Sequence, residues 1–415
     1  MDTLRVSSDR LKADFTALSR FGATPQGGVD RPALGEAHLA ARAWLRQRIQ
    51  SSGLELRLDL AGNHLAFLGC GPPVAPALLL GSHLDSVPDG GRFDGALGVL
   101  AALEVLRTVR EAGLSLPVNL EAVDFTDEEG TLVGLLGSYA LAGHLKADDL
   151  LAPRGGRQHL LASLEHAGLS EAGLLEARRE PSSLAGYLEL HIEQGPRLLQ
   201  AGVQIGVVTS IVGICSYRLA FIGRADHAGT TPMADRLDAA QGAAAFTLAV
   251  RQAVLQDFPE CVANVGILRL LPGAFNIVPR RAELSLELRS ADSQSYAQLE
   301  AALLELAKVE AAHYGLDLEI EFLNRHPPTP LSPLAQQAII QAADSLGLSH
   351  MSLPSGAGHD AQSLAPLCPS GMIFVPSQAG ASHSPREFTT WEDCLNGANV
   401  LLQAALYMAS THRQK

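Results

Sequence analysis

Cysteine is scarce in this chain, with Cys70, Cys215, Cys261, Cys368 and Cys394 the only five among 415 residues. The number is odd and no pair has C-x-x-C spacing. That argues against a disulfide framework and a thiolate zinc site, and leaves the cysteines as small buried apolar residues. Long apolar runs are also missing, since no stretch reaches the roughly 18 residues that a membrane-spanning helix requires. The opening MDTLRVSSDRLKADFTALSRFG carries charges where a secretory peptide needs an apolar core, so the cytoplasm is the expected location. Positive charge is in deficit. Thirty-one Lys and Arg face 44 Asp and Glu, a net charge of -13, with the acidic residues dispersed rather than gathered in a tail. This balance argues against nucleic acid or an anionic membrane as partner.

What the chain does have is apolar material, 47% of its residues, and enough length for two or three domains. Apolar strand-like runs alternate with helical patterns, the signature of an α/β sheet covered by helices on both faces. PALLLGSH, VNLEAVDF, GYLELHI and SGMIFVPS read as buried strands, and GALGVLAALEVLRTVREAG as a long helix between the first two. From Gly213 the rhythm changes. SYRLAFIGR, CVANVGILRL, RRAELSLELRS and LDLEIEFL read as strands, with helices over DRLDAAQGAAAFTLAVRQAV and SYAQLEAALLELAKVEAAHYG. The resulting β-α-β-β-α-β order predicts a ferredoxin-like unit over 213–326, inserted into a larger domain formed by 1–212 and 327–415.

Histidines and carboxylates stand at the ends of the predicted strands, where ligands gather in open α/β sheets. His83 and Asp85 lie two apart in GSHLDS, so Asp85 can accept one ring N–H of His83 and leave the other nitrogen for a metal. Asp94 follows in the glycine-rich GGRFDGALG, where it can bridge two cations, cap the next helix, or do both. Glu128 and Glu129 are adjacent in an extended segment and point in opposite directions, so one can bind metal while the other moves protons. A solvated acidic turn is the competing interpretation. His191 sits in an apolar strand, which also suits a core histidine, and His383 lies in a loop of small residues. Their joint placement at strand ends points to a metal-dependent hydrolase.

GSHLDSVPDGGRFDGALGVLAALEVL, DFTDEEG, LELHIEQGP, GRADHAGTTPM, PGAFNIVP, SGAGHDA and VPSQAGASHS together resemble the amidase and carbamoylase branch of the M20 di-metal hydrolases. That branch includes N-carbamoyl-L-amino-acid hydrolases, β-ureidopropionase and allantoate amidohydrolase, and the resemblance spans nearly the whole chain. It implies a di-metal aminopeptidase-like catalytic domain with an inserted lid and dimerisation domain. It further implies two divalent ions per subunit, one held by His83, Asp94 and His191 and the other by Asp94, Glu129 and His383, with Zn²⁺, Mn²⁺, Co²⁺ or Ni²⁺ all compatible with the donors.

By the same resemblance Glu128 is the general base and Asp85 the partner of His83. His227 would reach the neighbouring subunit's site to stabilise an oxyanion, and Arg289 would grip a substrate carboxylate. Asn276, Gln194, Gly358 and His359 would complete the substrate pocket. The implied reaction converts an N-carbamoyl-L-amino acid to the amino acid, carbon dioxide and ammonia, with allantoate or an N-acyl amino acid or dipeptide as alternative substrates and a homodimer as the assembly. One departure bears on the pocket. Many carbamoylases follow the paired glutamates with glycine, a small residue, arginine and phenylalanine, where this chain has Gly130, Thr131, Leu132 and Val133.

Overall fold

The computed structural model describes residues 3–412 as a mixed α/β fold. They form two compact units, one built from the chain up to residue 209 and again from 331, the other from residues 210–330.

At the heart of the first unit four parallel strands lie side by side: Asn119–Phe125, Ala77–His83, Leu184–Ile192 and Ser370–Val375. Every residue of all four is buried, as expected of parallel strands covered on both faces. Their apolar runs therefore lack the alternation of a half-exposed strand. Glu55–Leu58 and His64–Leu68 add an antiparallel hairpin beyond Asn119–Phe125. Helix Ala96–Glu111 is buried along nearly its entire length and packs tightly on the sheet. A Cβ at Gly98 would stand 2.4 Å from the Leu190 carbonyl oxygen, so only glycine permits that approach. Helices Pro333–Ser345 and Trp391–Thr411 contribute their apolar faces to the same core.

The alternating pattern gives no hint of a helical satellite formed by Leu136–Ala142, Arg157–His166 and Glu171–Glu176. It has its own small core, in which Leu34, Leu132, Leu160 and Leu174 are buried together.

The second unit runs Gly213–Ile222, helix Ala239–Asp257, Val262–Asn264, Leu268–Leu271, Arg281–Ser290, helix Ser293–His313 and Asp317–His326. All its strand pairs are antiparallel, in the order Asp317–His326, Gly213–Ile222, Arg281–Ser290, with the two short strands both beyond the last. Arg281–Ser290 alternates half-buried and buried residues, the mark of a sheet with one covered face. CVANVGILRL, expected as one strand, is two. Between them Ile267 gives its N–H to the Ser285 hydroxyl rather than to a backbone carbonyl, which interrupts the ladder. Cys215, Cys261, Cys368 and Cys394 are buried, Cys70 is half-buried, and all five are free thiols. Among the described residues no helix is long and apolar enough to cross a membrane.

Candidate metal centre

His83 is the last residue of its strand and His191 the penultimate residue of its own, so the sheet delivers both rings to one end. Each ring is fixed through Nδ1. In His83 this nitrogen lies 3.0 Å from the Asp85 carbonyl oxygen, and in His191 it lies 2.9 Å from the Ile192 carbonyl oxygen. A carbonyl only accepts, so both Nδ1 atoms carry a proton and Nε2 is the nitrogen that each ring presents to a cation. Those nitrogens meet the same atom: Asp94 Oδ1 lies 3.4 Å from His83 Nε2 and 3.2 Å from His191 Nε2. Either a proton or a metal cation must join each nitrogen to the carboxylate oxygen.

Asp94 presents its second oxygen to the other half of the site. Its Oδ2 lies 3.8 Å from His383 Nε2, which stands 3.3 Å from Glu129 Oε2. The triads His83, Asp94, His191 and Asp94, Glu129, His383 each place their donor atoms within 4.8 Å of one another. Two donors on one zinc-sized cation sit roughly 3 to 3.5 Å apart, so spacing and chemistry fit two divalent ions bridged by Asp94. The electrostatics agree. Burial, reinforced by the Asp94 charge, pushes Glu129 up to about 8, and burial opposes a charge on His191, which Asp94 nevertheless holds at about 8. Without a cation the cluster is a desolvated collection of repelling groups that retains protons.

Glu128 belongs to neither triad. Its Oε2 lies 3.6 Å from His83 Nε2, and burial pushes its carboxyl well up. Asp85 differs from the expectation. The ring N–H of His83 goes to the Asp85 carbonyl oxygen, and the Asp85 carboxylate is 3.8 Å from that nitrogen. The carboxylate instead accepts the backbone N–H groups of Glu128 at 3.3 Å and Glu129 at 3.1 Å, fixing the two glutamates from behind.

Gln194, expected in the pocket, donates its amide to Asp94 Oδ2 at 2.6 Å, while its own Oε1 is buried without a partner. His359 is buried. It packs edge-on against His191 at 4.5 Å between ring centroids, and its Nε2 sits 2.9 Å from the Ser355 hydroxyl. Gly358 immediately precedes it. His227, Asn276 and Arg289 lie in the second unit. There the Ala228 N–H donates to the Asn276 carbonyl at 3.0 Å, which holds the His227 and Asn276 segments together, and Arg289 pairs with Glu287 at 2.9 Å.

Three supporting residues are not evident from sequence patterning. Glu387 Oε1 accepts the N–H of Phe93 at 2.9 Å and of Asp94 at 3.0 Å, and the Ser382 hydroxyl lies between the two carboxylates, 3.0 Å from Asp94 Oδ2 and 3.1 Å from Glu387 Oε2. Burial pushes Glu387 up to about 7. Asp127 accepts three successive N–H groups, from Leu132, Val133 and Gly134, and so folds the loop that follows Glu129. Glu189 accepts from the Ser82 hydroxyl and the Ala361 N–H beneath the histidines. Each is an ordinary carboxylate in sequence, distinguishable only once the backbone groups it serves are in place.

A hydrolase with a candidate metal centre is the class that this fold and site define. Residues 79–407 match the family Peptidase family M20/M25/M40, and the chain belongs to it. An N-carbamoyl-L-amino acid amidohydrolase of Geobacillus stearothermophilus is 38% identical over 406 residues, covering 97% of this chain and 99% of that protein. A ureidoglycolate hydrolase of Arabidopsis thaliana is 34% identical over 409 residues, covering 96% and 86%. Among solved structures, an amidase of the hydantoinase/carbamoylase family from Burkholderia multivorans superposes with a TM-score of 0.90 at 35% identity, covering 99% of this chain and all of that one.

Proposed function

We propose that the chain is a two-ion amidohydrolase that converts N-carbamoyl-L-amino acids to the amino acid, carbon dioxide and ammonia. The observation that carries the reading is the pair of His Nε2 atoms converging on one oxygen of Asp94, with the uncommitted carboxyl of Glu128 beside them. His83, Asp94 and His191 would hold one ion, and Asp94, Glu129 and His383 the other. Zn²⁺, Mn²⁺, Co²⁺ or Ni²⁺ suits these nitrogen and oxygen donors. When bound, such ions supply Lewis-acid polarisation of the scissile carbonyl and of water.

Glu128 takes the proton of the attacking water and passes it to the leaving nitrogen. Asp85 keeps Glu128 in place through its backbone N–H. The second unit, whose order adds one short strand to the β-α-β-β-α-β of a ferredoxin-like lid, would capture the substrate carboxylate with Arg289 and Asn276. His227 would steady the developing oxyanion. Its two short strands leave Val262, Ile267 and Leu268 about half exposed, apolar surface that suits pairing with a second copy.

The relatives include carbamoyl-amino-acid and ureidoglycolate hydrolases, and both names denote ureido compounds. The test is ammonia release by metal-loaded protein, with and without chelator, from N-carbamoyl-L-amino acids, ureidopropionate, ureidoglycolate and allantoate, beside amino acid release from N-acetyl amino acids. Chelator-sensitive ammonia release from the carbamoyl amino acids is expected. Cleavage of the acetyl compounds alone would overturn the ureido reading.

A further inference from the structure

The first unit contains a cavity of about 460 Å³, and none of the proposed metal ligands lines it. The volume suits a small organic molecule. One wall is aliphatic, built from Leu34, Leu39 and Leu169, and another is polar, built from Arg42, Arg46 and His64. The polar groups are not equally available. Arg42 is spent on Asp124 at 2.8 Å and on the carbonyls of Gly62 and Phe125, each at 3.0 Å. Arg46 makes no ion pair among the described residues. The carboxylate on this lining, Asp59, faces its own turn and accepts from the Ala61 and Asn63 N–H groups and the Asn63 amide.

His64 offers a ligand no contact through its ring nitrogens: Nδ1 donates to the Gly62 carbonyl oxygen at 3.0 Å, and Nε2 is buried out of reach of the cavity, in a residue only 8% exposed. That leaves Arg46 as the available cation of this wall.

The cavity wall is tied to the loop that carries the catalytic glutamates. Leu34 shares a buried cluster with Leu132, and the N–H of its neighbour Ala33 donates to the Thr131 hydroxyl at 3.3 Å. On the other side, the Asn63 side chain accepts the Thr126 N–H at 3.0 Å and donates to the Gly137 carbonyl at 3.0 Å. These bonds bracket Glu128 and Glu129. Thr131 and Leu132, where the chain departs from many carbamoylases, are the residues that make two of these contacts.

We propose that this cavity binds a small aliphatic carboxylate and that its occupancy sets the order of the loop from Thr126 to Leu132. The carboxylate pairs with Arg46 and the aliphatic chain lies on the leucines. Calorimetric titration of the full-length, chelator-treated protein with 2-hydroxy-4-methylpentanoate, and separately with leucine, tests this without substrate. The result is therefore independent of the proposed hydrolase activity.

Saturable binding of at least one of the two is expected, weakened tenfold or more by Arg46→Gln and kept by Arg46→Lys. Leu39→Glu, which places a carboxylate of the chain itself beside the cavity, should abolish it. On binding, hydrogen exchange should slow at amides 126–137. Absence of saturable binding, or equal binding by the Arg46→Gln and Leu39→Glu proteins, would overturn the site. Binding with unchanged exchange would overturn the link to the loop.

Discussion

Asp85 holds Glu129 by the backbone: its Oδ2 accepts the Glu129 N–H at 3.1 Å while its Oδ1 accepts that of Glu128 at 3.3 Å. One carboxylate thus fixes both a proposed metal ligand and the proposed base. Asp85→Asn keeps the shape but replaces one accepting oxygen with a donor that faces an N–H. Turnover should fall roughly 10- to 100-fold, the usual cost of losing a residue that orients metal ligands. Steady-state kinetics beside metal titration check this, and wild-type values in both would refute the role.

Glu128→Gln removes the proton carrier and leaves both ligand triads untouched. Turnover should fall by about 10² to 10⁴ with metal content unchanged. Elemental analysis of the purified variant together with its rate separates loss of the base from loss of the ions.

Gly95 has φ of +61°, and a Cβ there would stand 2.4 Å from the His83 ring. Gly95→Ala should therefore combine about 1 to 2 kcal/mol of backbone strain with displacement of a proposed ligand. Loss of metal affinity is expected to exceed the loss of thermal stability, measured by metal titration and by melting of the chelated protein.

The pH dependence of stability follows from protons held in the metal-free fold. Glu129 and His191 keep theirs to about pH 8 and Glu387 to about pH 7. In the unfolded chain the glutamates and the histidine release them at lower pH. Between pH 6.5 and 8.5 the folded state therefore binds more protons than the unfolded one, and the stability of metal-free protein falls as pH rises. Divalent ions displace those protons and bind better at high pH. The melting-temperature difference between metal-loaded and chelated protein should widen from pH 6.5 to 8.5, and a constant difference would count against metal at this cluster.

The sequence discloses the strands that carry His83 and His191 because fully buried parallel strands read as continuous apolar runs, and a period-3.6 pattern marks Ala96–Glu111. It also places Asp94, Glu128, Glu129 and His383 at strand ends. The Asp85 arrangement is not legible, because its partners are backbone N–H groups brought up by a turn 43 and 44 residues away. Glu387 is hidden for the same reason, as it serves amides almost three hundred residues earlier. The satellite helices escape notice because they are short and share a small core of their own.

The strand Ser370–Val375 returns beside Leu184–Ile192, with Phe374 paired to His191, and His383 follows it by eight residues. All three donors of the proposed first triad, His83, Asp94 and His191, are therefore synthesised before His383, the last donor of the second, so in a growing chain the first triad is complete while the second still lacks a ligand.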